Sequence, residues 1–66
     1  MQALETTAAV IDALGGIAAV AGLTGRKYTA AHNWRKSRFP ANTYITITKA
    51  LEDKGMTAPP SLWGMS

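Results

Sequence analysis

The basic residues of this chain are concentrated in one short segment that contains no acidic residue. Five of its seven lysines and arginines lie between positions 26 and 38: Arg26, Lys27, Arg35, Lys36 and Arg38. The four carboxylates all lie outside this segment, so the net charge of +3 conceals one strongly positive region between near-neutral ones. Clustered cations attract polyanions, and the phosphate backbone of a nucleic acid is the polyanion that such a segment fits. The segment therefore predicts a nucleic-acid interface.

Residues for catalysis or metal binding are scarce. The chain has no cysteine and one histidine, His32, which excludes a thiolate site and a zinc site built from histidines. His32 lies among cations and the carboxylates are scattered, so nothing supplies a nucleophile with a base and an orienting acid. The string from Gly22 to Lys27 lacks the Gly-Lys-Ser/Thr order of a phosphate loop. We expect no enzyme, metal, cofactor or small-molecule substrate.

The length and composition limit the fold to one small domain, residues 1–66. Hydrophobic residues make up 47% of the chain, but many of them are alanines. A domain of this size buries only about 60% of its unfolded surface, so its stability depends on a few large side chains. The candidates for the core are Leu4, Val10, Ile11, Leu14, Ile17, Val20, Leu23, Trp34, Ile47 and Leu51.

Neither a membrane span nor a signal peptide is evident in the sequence. No apolar run approaches the roughly 18 residues that a membrane helix needs, and the start lacks the basic and apolar regions of a signal peptide. A peptide that lies on a membrane surface is disfavoured, because no helix joins a lysine-rich face to a bulky apolar face. We expect a cytoplasmic protein.

Helical periodicity predicts two short helices before the basic segment. Residues 4–14 place apolar side chains on one side of a helix and two carboxylates on the other. Gly15 and Gly16 end this helix, because glycine adopts the left-handed conformation of a C-cap without steric cost. Residues 17–23 form a second helix, and Gly25 permits a sharp turn into the basic segment.

The third helix is predicted over residues 27–36, within the basic segment. It directs Ala30, Ala31 and Trp34 inward, and small alanines favour close packing between helices. The helix ends before Pro40, since the residue that precedes a proline is pushed out of the α region.

The run from 43 to 48 is ambiguous, because its β-branched alternation suits a strand while Tyr44, Ile47, Thr48 and Leu51 share one helical side. We favour a helix that Asn42 or Thr43 caps and Gly55 ends, since good helix formers continue to position 54. The tail, residues 56–66, is predicted to be extended at its prolines. Its apolar residues then fold back on the bundle or pack against a second subunit. The fold class is therefore a small all-α domain of four to five helices.

Residues 17–40 carry the residue types and spacing of a helix-turn-helix, with the motif itself at about 17–36. Ala21 is followed by Gly25 four residues later, by Ala31 six after that and by Trp34 three further. The chain thereby resembles the Cro/repressor-type (YdaS-like) helix-turn-helix proteins. Three further strings fit the same family: Asn33-Trp34-Arg35, Arg38-Phe39-Pro40 and Leu62-Trp63. The two polar residues that flank the turn glycine depart from the family pattern, which usually has apolar residues there.

This resemblance implies that the third helix enters the major groove of double-stranded DNA while the second crosses the backbone. Asn33 would pair with adenine, Lys27 would reach the acceptors of guanine, and Thr29 would contact thymine. His32 is open to a base contact, a phosphate contact or an ordinary surface position, and Tyr28 to stacking or to closing the edge of the core. The implied base-reading set is Lys27, Tyr28, Thr29, His32 and Asn33. The implied phosphate-binding set is Arg26, Arg35, Lys36 and Arg38.

The same resemblance implies a transcriptional regulator, in the setting of its own operon or of a phage or mobile element. The sequence leaves repression and activation open, and we expect a repressor that is associated with the nucleoid when bound to DNA. One small domain offers few contacts to DNA, so we expect a homodimer that binds a pseudo-palindromic operator. The expected dimer surface is Tyr44, Ile45, Leu62 and Trp63. The alternative function is an adaptor that docks an acidic protein surface through the same basic helix.

Overall fold

Four α-helices contain about half of the residues, and two short strands join the early and late parts of the chain. The computed structural model describes residues 2–65; Met1 and Ser66, the ends of the predicted domain and tail, lie outside the described residues. The elements in chain order are β1 (Gln2–Ala3), α1 (Thr7–Ala13), α2 (Ile17–Thr24), α3 (Tyr28–Trp34), α4 (Tyr44–Asp53) and β2 (Met56–Thr57). Two 3₁₀-helices span Ala41–Thr43 and Pro60–Trp63. The predicted helical fold is confirmed in its main elements, whereas the all-α prediction missed the strands.

The first two helices form a corner that glycine makes possible. The side chain of Thr6 accepts a hydrogen bond from the amide of Ala9 at 3.0 Å and caps the start of α1. Gly15 and Gly16 then adopt positive φ angles of 108° and 104° and end α1, as predicted; Gly16, with a ψ of −179°, lies outside the left-handed helical region and is the N-cap of α2. The chain turns by 87° between α1 and α2. This corner brings the apolar sides of both helices against the same core.

The centre of the core comes from α1, α2 and α4. Its largest fully buried side chains are Val10, Ile11, Val20, Ile47 and Leu51. Two of the sequence predictions for the core need revision. Leu23 is 42% exposed, because it lies on the outer side of the last turn of α2, and Ile17 is half-buried. Phe39, which the sequence reading placed only at a helix stop, is 2% exposed.

The β-branched run that begins at position 43 is helical, as favoured. Ile47 and Leu51 are buried on one side of α4. The hydroxyl of Thr48 donates to the carbonyl of Tyr44 at 2.7 Å, which satisfies this polar group within the helix. The predicted side-chain cap is absent at the start of α4: Thr43 occupies the N-cap position, but its hydroxyl donates to the carbonyl of Pro40 at 2.7 Å.

The tail is extended at Met56–Thr57 and at Pro59, as predicted, and forms a 3₁₀-helix over Pro60–Trp63. Met56–Thr57 pairs in parallel with Gln2–Ala3, with Met56 opposite Gln2. Pro60 begins a 3₁₀-helix, which corrects the prediction that the chain is extended there. Proline fits this place because the first helical residue needs no amide donor. The tail then returns to the bundle, the first of the two alternatives that the sequence left open.

Candidate nucleic-acid interface

The turn between α2 and α3 sets the direction in which α3 leaves the core. Gly25 caps α2 with a φ of 71°, in the left-handed region that disfavours other residues. The amide of Arg26 donates to the carbonyl of Ala21 at 3.0 Å, and the hydroxyl of Thr24 donates to the carbonyl of Val20 at 2.9 Å. Two carbonyls in the last turns of α2 therefore accept bonds from the turn, which is held by these local contacts.

Helix α3 has one buried and one exposed side. Ala31 has no exposed surface and Trp34 is 7% exposed, as the sequence predicted for the inward side. The rings of Trp34 and Phe39 make an edge-to-face, T-shaped contact, with centroids 5.8 Å apart. The opposite side presents polar side chains to solvent: Thr29, His32 and Asn33 are all exposed. Tyr28 is 57% exposed, which places it outside the core.

The cations lie at both ends of α3 rather than along it. The helix is shorter than predicted, because it begins at Tyr28 and ends at Trp34. Lys27 is therefore its N-cap residue, and Lys36 lies in the turn beyond its end. A helix of this length spans about 10 Å, so the two groups of cations flank a short polar surface. The exposed polar residues of α3 and these flanking cations form one surface, which we call the basic interface. Its residues are Arg26, Lys27, Tyr28, Thr29, His32, Asn33, Arg35, Lys36 and Arg38.

One carboxylate lies beside the basic interface, and the sequence analysis did not connect it with this surface. Nη1 of Arg35 is 2.9 Å from Oδ1 of Asp12 on α1, and this is the one ion pair among residues 2–65. The hydroxyl of Thr7 donates to the backbone carbonyl of Arg35 at 3.3 Å. These two contacts tie the end of α3 to α1. No sequence signal links positions 12 and 35, because the tertiary packing of the helices brings them together.

Arg38 lies against the tail. A side-chain carbon placed on Gly64 would be 3.3 Å from Nη1 of Arg38. The next residue, Phe39, donates its amide to the carbonyl of Leu62 at 2.9 Å. The last cation of the basic interface thus lies beside the folded tail.

The predicted dimer residues divide into buried and exposed ones. Trp63 is 3% exposed, and its ring centroid lies 5.1 Å from that of Phe39 and 5.0 Å from that of Tyr44. Its indole N–H donates to the hydroxyl of Thr43 at 3.2 Å. Trp63 is therefore occupied within its own chain and offers almost no surface to a second copy. Ile45 is 75% exposed, and Leu62 is half-buried.

An apolar groove between α2 and α4 is the second surface that the sequence reading missed. It has a volume of about 310 Å³ and is lined by Leu23, Ile45, Thr46, Lys49, Ala50 and Asp53. We call it the α2/α4 groove. The signal that could have found it is the position of Leu23 and Ile45 off the inward sides of their helices.

Comparisons of the chain with protein-family models, with curated proteins and with solved structures found no match. In residues 2–65 there is no cluster of three His, Cys, Asp or Glu residues that would hold a metal ion. Within the same range no single helix is long and apolar enough to cross a membrane; α1 and α2 reach the length only together, across their bend.

Proposed function

We propose that this protein is a sequence-specific, double-stranded DNA-binding transcriptional regulator of the Cro/repressor type, acting as a repressor. The observation that supports this function is the two-sided character of α3. The helix buries Ala31 and Trp34, exposes Thr29, His32 and Asn33, and has exposed cations beyond both ends. A polar helix flanked by cations suits the major groove, where side chains meet base edges while the flanking charges meet phosphates.

In the proposed complex, α3 reads bases and its two ends hold the backbone. Asn33 is the amide side chain that pairs with both hydrogen-bonding groups of adenine in the major groove. Lys27 reaches the acceptors of guanine, and Thr29 contacts a neighbouring base. Arg26, Arg35, Lys36 and Arg38 contact phosphates, which fixes the register of the helix without carrying sequence information. Two copies bind a pseudo-palindromic operator with their α3 helices about 34 Å apart.

Selection from a randomised duplex library tests this function. The native protein should enrich a two-fold symmetric site, and Asn33→Ala should lose roughly 1–3 kcal/mol of discrimination at one base pair in each half-site. Nonspecific binding, which depends on salt through the phosphate contacts, should persist in the variant.

Asn42→Ala is the matched control, since Asn42 is also exposed but lies in the 3₁₀-helix before α4. It should select the same site as the native protein. Binding without any sequence preference would contradict the proposed function and favour the adaptor, because a cationic docking surface discriminates charge and not bases.

A further inference from the structure

The α2/α4 groove is lined by the two exposed large aliphatic side chains of residues 2–65. Leu23 and Ile45 are 42% and 75% exposed, and both line the groove. They come from different helices and line the same groove. Exposed aliphatic side chains that face a shared groove mark a candidate interaction site.

The charges of the groove indicate what kind of partner fits it. Its lining contains one cation, Lys49, and one carboxylate, Asp53, one helical turn apart on α4. Neither is in an ion pair within residues 2–65. No residue of the basic interface lines the groove. A nucleic acid or a strongly acidic protein would require an excess of cations, whereas this surface is neutral and carries both signs.

We propose that the α2/α4 groove is the surface on which a second copy of this chain docks. A two-fold contact presents the same patch from both copies, so that residue i meets residue j and j meets i. Lys49 of each copy then faces Asp53 of the other, while Ile45 and Leu23 are covered between them. The need for two copies rests on the proposed function, since a symmetric operator requires two α3 helices.

This assignment keeps α4 in the dimer surface and replaces the tail with α2. Trp63 is buried in its own chain, and of the predicted dimer residues Ile45 is the one that lines the groove. The basic interface stays free in such a dimer, because the groove contains none of its residues.

The small size of the chain makes the contact weak. The described residues expose 3972 Å² in total, and a stable interface buries about 800 Å² per partner, which is about a fifth of that surface. The groove has six lining residues, whereas an interface of that size has about 20–30 residues on each side. We therefore expect association in the micromolar range or weaker in the absence of DNA, with a symmetric operator increasing it by holding two copies together.

Sedimentation equilibrium of the full chain without DNA, over a wide concentration range, tests the proposal. Lys49→Glu gives the groove two carboxylates, and Asp53→Lys gives it two cations. Each variant alone should self-associate at least about tenfold more weakly than the native protein, because like charges then face each other across the two-fold axis. An equimolar mixture of the two variants should regain association, since opposite charges face each other again.

Lys54→Glu and Glu52→Lys are the matched controls, because they make the same charge changes at exposed positions outside the groove lining. They should sediment as the native protein does. A native chain that stays monomeric at every concentration would overturn the proposal, and so would variants that fail to regain association when mixed.

The outcome is separable from that of the library selection. If the protein selects a specific half-site but sediments as a monomer, the proposed function remains supported and the groove is contradicted as the dimer surface. If the charge-exchanged variants associate as expected but the protein selects no DNA sequence, the groove remains supported as the dimer surface and the proposed function is contradicted.

Discussion

At the scale of single residues, Arg35 is the side chain that we expect to contribute both to stability and to DNA binding. Its Nη1 atom is engaged by Asp12, and 37% of the side chain remains exposed. A guanidinium carries five N–H donors in a fixed planar arrangement, so one edge can bind the carboxylate while another faces a phosphate. Asp12 therefore orients Arg35, but it also brings a negative charge close to the basic interface.

Arg35→Ala and Asp12→Ala break the same ion pair and separate these two effects. Both should lower the free energy of unfolding by less than about 1 kcal/mol, because the pair is solvent-exposed. Arg35→Ala should also weaken DNA binding equally across sequences and reduce the salt dependence by about one phosphate contact. Asp12→Ala should leave DNA binding as strong as in the native protein or stronger.

Titration of duplex DNA at several salt concentrations, with urea unfolding in parallel, measures both effects. If Asp12→Ala weakened DNA binding as much as Arg35→Ala, the role of Arg35 would be to hold α3 against α1 rather than to bind phosphate.

At the scale of elements, glycine has two different roles in the helix-turn-helix. Gly25 supplies a positive φ at the end of α2, and no atom lies within 4 Å of the side-chain carbon it lacks. Gly22 lies on the exposed side of α2, inside the helix, where the same position is also open. The first glycine is required by the backbone, whereas the second weakens the helix that contains it.

Gly25→Ala and Gly22→Ala should therefore change stability in opposite directions. Gly25→Ala should lower the free energy of unfolding by about 1–2 kcal/mol, because an L-residue is strained in the left-handed region. Gly22→Ala should raise it by roughly 0.5–1 kcal/mol, because alanine loses less conformational freedom in a helix. Urea midpoints of the two variants measure this, and a stabilised Gly25→Ala would mean that the turn does not need a positive φ.

The helices also show which structural features could be predicted from the sequence and which could not. Periodicity and glycine positions were enough to predict the four helices, because both are local properties of the chain. The helical choice for the run after position 43 was also right, since the side shared by Ile47 and Leu51 outweighs β propensity. The early end of α3 was not predictable from periodicity, which continues through the turn after Trp34.

Within the candidate site, the exposure of side chains could be predicted from the sequence, but the residues that they contact could not. The outward positions of Thr29, His32 and Asn33 follow from the helical wheel. The ion pair of Arg35 and the burial of Phe39 depend on residues far away in the sequence, namely Asp12 and Trp63. Such contacts follow from the tertiary packing, and no local pattern contains them.

At the scale of the whole molecule, the tail is part of the core. Trp63 packs between Phe39 and Tyr44, and its N–H bond to Thr43 leaves no buried side-chain polar atom without a partner in residues 2–65. The tail thus covers Phe39, in the segment after α3, and the start of α4 together. In a domain of this size, one large aromatic side chain is a substantial part of the buried surface.

Trp63→Ala should lower the free energy of unfolding by about 3–5 kcal/mol, as expected for the loss of a buried aromatic residue. Trp63→Phe is the matched variant: it keeps a ring in place and removes the indole donor, so its effect should be about 1–2 kcal/mol. Thermal unfolding followed by circular dichroism measures both. A Trp63→Ala protein as stable as the native one would show that the tail does not stabilise the bundle.

The parallel pairing of β1 with β2 has a consequence for the order of folding. Two strands of two residues each have no stability of their own, and all four helices lie between them in the chain. They can meet only after those helices have packed, so we expect the pairing to form late. The amide of Leu4, which donates to the carbonyl of Thr57 at 2.8 Å, would then exchange its hydrogen no more slowly than amides buried in α1. Slower exchange at Leu4 would instead mean that the joined strands persist after the helices open.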